Sequence, residues 1–240
     1  MLSIETIKDL LLNSKFSTFI HDKRPPVVAF CRGGSAAIGL DDEGSDYDMI
    51  AFLLGSATFP IEGVFINKHT GDKVSILSQT ILINELPMMN PPKEFYFLFM
   101  LAATPISQMI ITPKYEKPFL EFHSLCQKYD SLFKVCLCKH YLNEYFKFIN
   151  SDDRLNYHDF KYLYFWIYFY DIDFNLPINK SLITKIKRLK VESIADLAED
   201  EREYFLKVGK YILENYNWSS EKFTETYNQL IEEFEQIQWE

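Results

Sequence analysis

Apolar residues recur at helical spacing from the start of the chain, at Ile4, Ile7, Leu10, Leu11 and Phe16, which predicts an amphipathic helix over residues 3–16. The adjacent prolines of "DKRPP" interrupt it, since the proline ring cannot continue a helix. "VVAFC", residues 27–31, is a β-branched and aromatic run of buried-strand length. After two glycines, "SAAIGL" reads as one or two helical turns and "DDEGS" as a loop, and "DYDMIAFLL" has the composition of a second strand. Residues 61–68 and 73–77 resemble two further strands around the turn "HTGD", with Gly71 free to take a positive φ. Ser78 is placed to cap a helix through Leu86, and "MNPPKEF" ends it. Pro92 then suits the first turn of another helix, residues 93–103.

Beyond about residue 120 the period is helical almost throughout: 121–150, 157–171, 179–188, 193–215 and 219–238. The outline is a mixed α/β first half and a helical second half, with a boundary near the prolines at 113 and 118. A length of 240 residues accommodates two compact units of this kind. Composition strengthens the second half of that outline, because 21 Phe and 15 Tyr against 8 Gly favour thick helical packing over glycine-rich loops.

A formal charge of -9 argues against a general nucleic-acid coat protein, which would bind by neutralising phosphates with clustered Lys and Arg. The most basic tract, "KSLITKIKRLK" over residues 180–190, reads as a solvated helix face. Cys31, Cys126, Cys136 and Cys138 lack zinc-type spacing, so reduced thiols in a reducing compartment are expected. No uncharged apolar run approaches the roughly 20 residues of a membrane span, and the charged N-terminal pattern lacks a signal-peptide core. A cytoplasmic protein without membrane attachment is therefore expected.

Chemistry concentrates in "RGGSAAIGLDDEGSDYDMIAF", residues 32–52. Asp46 and Asp48 are two apart on an expected strand, so they leave one face with Cα atoms about 6.6 Å apart. Such a pair can converge on one hard cation or bridge two Mg²⁺ ions about 3.5–4 Å apart. Ahead of it, Gly33-Gly34-Ser35 follows a strand and opens a short helix, which aims backbone N–H groups at an anion, and the Ser35 hydroxyl adds a donor. Together these fit a metal-bound nucleoside triphosphate. The competing reading makes the glycines a simple turn and the carboxylates a solvated acidic loop with Ser45 as a turn residue. Two carboxylates held at the mouth of a core strand without a cation would raise each other's pKa and destabilise the fold, which favours the first reading.

"GGSAAIGLDDEGSDYDMIAF" resembles the nucleotidyltransferase domain of the DNA polymerase β superfamily, in which Gly-Ser, a short helix and a loop precede Asp-x-Asp on a strand. Gly34, Ser35, Ala37, Gly39, Ser45, Asp46 and Asp48 match the minimal nucleotidyltransferases, and Ser-Asp-Tyr-Asp the RNA-repair-associated polymerase β-like group. The resemblance implies an α+β fold: an N-terminal nucleotidyltransferase domain (1–118) with a small mixed β-sheet flanked by helices, then an all-helical domain (119–240). It implies transfer of NMP from an NTP to an acceptor hydroxyl on an RNA end, a small molecule or a protein. Mg²⁺ (or Mn²⁺) would be held by Asp46 and Asp48, and the nucleotide by Gly33, Gly34, Ser35 and Ser45.

The match departs from the pattern in two places. Members generally carry a third carboxylate on a following strand, but the corresponding position in "HTGDKVSILS" is near Ser75; Asp72, at the strand's entrance, is the candidate for that catalytic role if the register shifts, and a turn aspartate after Gly71 otherwise. Gly33 also stands where the subgroup often has an arginine, with Arg32 displaced by one. A chain lacking the third ligand would bind nucleotide and fail to transfer it, so a catalytically impaired nucleotide-binding or regulatory module is the alternative. Among other candidates, His69, His140 and His158 are scattered, Lys139, His140 and Lys161 could meet a triphosphate from the helical half, and "YLYFWIYFY", residues 162–170, reads as core. Asp171 and Asp173 repeat the Asp-x-Asp spacing without a glycine bend ahead of them.

Overall fold

The computed structural model describes residues 27–33, 47–55, 61–66, 73–88, 93–137, 197–215 and 217–239. The chain divides into two compact units, Met1–Phe133 with Thr224–Glu240, and Lys134–Phe223. In the first unit, five strands, β1 (Val27–Arg32), β2 (Tyr47–Leu53), β3 (Ile61–Ile66), β4 (Lys73–Leu82) and β5 (Met109–Ile111), form one sheet in the order β3-β4-β2-β1-β5. The sheet is mixed. β1 pairs antiparallel with both β2 and β5, β2 pairs parallel with β4, and β3 pairs antiparallel with β4. β1 is buried along all six residues, as a continuous apolar run in the middle of a covered sheet must be.

Strands β1 and β2 fall where the pattern predicts them. β4 does not end where it should: pairing with β2 continues from Tyr47↔Ile76 to Leu53↔Leu82, so the helix expected from Ser78 to Leu86 is strand, followed by a 3-10 segment over Ile83–Met88. Ser78 pairs with Met49 on one side and Ile61 on the other, and two ladders of backbone hydrogen bonds outweigh a local capping preference. β5 has no counterpart in the sequence reading. It is pinned by Thr112, whose N–H donates to Val28 O at 2.9 Å and whose hydroxyl donates to Val27 O at 2.6 Å.

Four helices have both ends described: α1 (Lys93–Ala103), α2 (Glu116–Lys128), α3 (Glu199–Asn215) and α4 (Ser220–Phe234). α1 has the predicted bounds and buries Phe95, Phe97, Leu98, Phe99, Met100 and Leu101, the all-round burial of a helix apolar on every face. α2 starts five residues earlier than expected, with Pro118 tolerated in its first turn, and breaks at Tyr129 before helix resumes over 130–137. α3 starts at Glu199 rather than near residue 193, and the Glu201 carboxylate accepts the Ala198 N–H at 2.8 Å, half of a capping box. Ser219 caps α4 by accepting the Lys222 N–H at 3.2 Å. Expected helices over 3–16, 157–171 and 179–188 lie outside the described residues.

Aromatic side chains hold the first unit together. Phe52 of β2 packs against Phe119 and Phe122 of α2, with ring centroids 5.7 and 6.2 Å away. Phe122 also meets Phe234 at 5.7 Å and Trp239 at 5.8 Å, which ties the end of α4 to the layer covering the sheet. Phe95 of α1 stacks edge-on to Phe133 and lies 5.9 Å from Tyr227 of α4. Residues 119–133 and 224–240 thus belong with the sheet, whereas the composition shift near residue 118 marks where the strands end. At the surface, Lys128 donates to both Glu233 oxygens at 2.5 and 2.7 Å and Tyr129 adds a third bond at 2.8 Å. Lys128, then Tyr129, hold the Glu233 carboxyl below its usual range, but both charges are exposed and screened, so the pair contributes little stability.

His123 is a buried polar member of this core. Its Nε2 lies 3.1 Å from Thr104 O at the end of α1. Burial lowers its pKa below 6.5, against the opposing pull of the Thr104 and Leu101 carbonyls. A depressed folded-state pKa means the unfolded chain binds the proton more readily. The stability this group contributes is therefore complete above about pH 6.5 and is lost as pH falls through the folded value. His123→Asn keeps a donor and cannot titrate, so its Tm should fall less than that of the parent between pH 7 and 5; equal slopes would assign the acid sensitivity elsewhere.

No helix among the described residues is long and apolar enough to cross a membrane.

Candidate functional site

The antiparallel pairing of β1 and β2 brings Gly33 beside the strand that carries Asp48. Arg32 pairs with Met49, and Gly33 extends the ladder by one residue, its N–H donating to Asp48 O at 2.8 Å. Gly33 and Asp48, fifteen positions apart in the chain, are thereby neighbours. Because that N–H is engaged with Asp48, backbone donors for an anion have to come from residues after Gly33.

Absence of a side chain at Gly33 serves the close approach of the two strands. A Cβ there would stand 3.2 Å from Ile50 Cγ1 and 3.6 Å from Asp48 Cβ. A methyl group needs a small adjustment of Ile50; a branched side chain needs more. Gly33→Val is expected to cost about 1–3 kcal/mol, as overpacking in a filled interior does, measured by urea unfolding. A neutral result would show that the β1–β2 contact is looser than this.

Asp48 is half-buried at the second position of β2, while Met49 and Ile50 beside it are buried. The border between water and core therefore passes directly after the carboxylate. Strand alternation puts Asp48 and Ile50 on one face and Arg32 with its partner Met49 on the other. Arg32 is buried and lies on the opposite side of the sheet from Asp48. A basic contact to a ligand held by Asp48 has to come from another residue.

On its other side β2 runs parallel to β4. Asp48 is opposite Leu77, and β4, "KVSILSQTIL", contains no acidic residue. Ser75 precedes Leu77 by two residues and pairs with Val64. Lys73, which opens β4, is four residues ahead of Leu77, or about 13 Å along the strand, and Asp72 comes before it, outside the described residues. Leu77 pairs on its other side with Glu62 of β3. Glu62 thus occupies the same cross-strand row as Asp48, two strands away, with Cα atoms about 10 Å apart. Glu62 was missed by the sequence reading. The available signal was a lone acid in the otherwise apolar strand "IEGVFI".

Asp48 supplies a hard oxygen donor of the type Mg²⁺ takes, and its neighbours on the adjoining strands, Leu77 and Gly33, carry no side-chain donor. Among the described residues no group of three His, Cys, Asp or Glu side chains could hold a metal ion. Asp46, Gly34, Ser35, Ser45, Asp41, Asp42 and Glu43 lie outside the described residues, as do Asp171, Asp173, Lys139, His140 and Lys161. Cys31 and Cys126 are buried free thiols, and Cys136 is buried as well. Burial pushes the Cys31 and Cys126 thiols upward, each away from the thiolate that would bind a metal or attack a substrate. A groove of about 910 Å³ runs along the outer side of α2 beside the end of α4, and neither Gly33 nor Asp48 lines it. No family model, no curated protein and no solved structure matches the chain.

Proposed function

We propose that this chain is a metal-dependent nucleotidyltransferase that moves NMP from an NTP to the hydroxyl of an acceptor: an RNA end, a small molecule or a protein. The observation that carries the reading is the 2.8 Å bond from Gly33 N to Asp48 O, which joins the end of the glycine-bearing strand to the start of the acid-bearing one. In this reading the glycines and the carboxylates would form the two halves of one phosphate site.

In this reading Asp46 and Asp48 hold Mg²⁺ or Mn²⁺, and Gly34, Ser35 and Ser45 receive the triphosphate. The bound cation would neutralise charge on the leaving pyrophosphate. The chain's own contribution is placement: Gly33 lets β1 lie close against β2, so that the backbone following it starts beside Asp48. Phosphoryl chemistry needs little covalent help beyond in-line positioning and electrostatic stabilisation. The N-terminal sheet would form the catalytic domain. The buried free thiols of Cys31 and Cys126 accord with a cytoplasmic, reducing location.

One observation favours a second reading. β4 carries Leu77 opposite Asp48 and no acid along its length, so the strand that would activate the acceptor hydroxyl lacks the group to do it. A nucleotide-binding or regulatory module of the same fold fits that feature.

Incubation with α-labelled NTPs, Mg²⁺ or Mn²⁺, and RNA ends, aminoglycosides or the protein alone as acceptors separates the two. Transfer of label supports the enzyme. ATP binding without transfer supports the module. Absence of any divalent-dependent gain in Tm with ATP present overturns both.

A further inference from the structure

No further inference is drawn: the strongest candidate, the groove of about 910 Å³ between the outer face of α2 and the end of α4, is lined by three lysines and three glutamates whose charges cancel, and nothing in the structure shows what covers it.

Discussion

On the proposed function, Asp48→Asn is expected to abolish the rise in Tm that ATP and Mg²⁺ together would give the parent protein. The substitution keeps the size of the side chain and removes its charge, so the β1–β2 pairing, which uses backbone atoms of residue 48, should persist. A ligand present at about 100 times its Kd stabilises by about 2.7 kcal/mol, equivalent to roughly 5–10 °C in a chain of this size. All of that gain should be missing in the variant. If label transfer is observed in the parent, loss of a metal ligand worth several kcal/mol of transition-state stabilisation should lower the rate by about 10³-fold or more. An undiminished ATP response in Asp48→Asn would remove this residue from the site, and the proposed function with it.

Phe122→Ala should be the most destabilising single truncation in the core of the first unit. The ring is fully buried and touches Phe52, Phe119, Phe234 and Trp239, so one side chain links a central strand, its covering helix and the segment after α4. Truncating a buried Phe costs about 3–5 kcal/mol, from lost transfer free energy and the cavity left behind. A drop in Tm of about 10 °C is expected, with a matching shift of the urea midpoint. Leu206→Ala, at a position 54% exposed, should stay within about 0.5 kcal/mol of the parent. Because Trp239 packs directly on Phe122, the variant should also show red-shifted tryptophan emission before global unfolding begins. A small effect on all three readouts would mean that the residues after α4 add little to the core.

Legibility in the sequence followed the range of the interactions involved. β1 and β2 could be read because a strand covered on both faces needs a continuous apolar run, and "VVAFC" and "MIAFLL" are such runs. α1 could be read because prolines precede it and apolar residues fill every face. β4 was half read. "SILSQTILINEL" satisfies a capped helix as well as a strand, and the choice is made by β2, whose edge pairs with it as far as Leu82. The three residues of β5 are too few to carry a period of their own.

The site divides in the same way. Proximity of Gly33 to Asp48 followed from two consecutive strands pairing antiparallel, a local topology. Register between β2, β4 and β3 is not local, so neither the position of Leu77 opposite Asp48 nor that of Glu62 in the same row could be read from spacing. The remaining proposed ligands, Asp46, Gly34, Ser35, Ser45 and Asp72, lie outside the described residues.

The first unit is assembled from two stretches of chain separated by the whole of Lys134–Phe223. During synthesis the sheet and α1 leave the ribosome long before Phe234 and Trp239 exist to complete the aromatic layer over Phe122. A nascent chain released at residue 133 should therefore expose sticky aromatic surface and recruit chaperones, and supplying residues 224–240 as a separate peptide should restore its solubility.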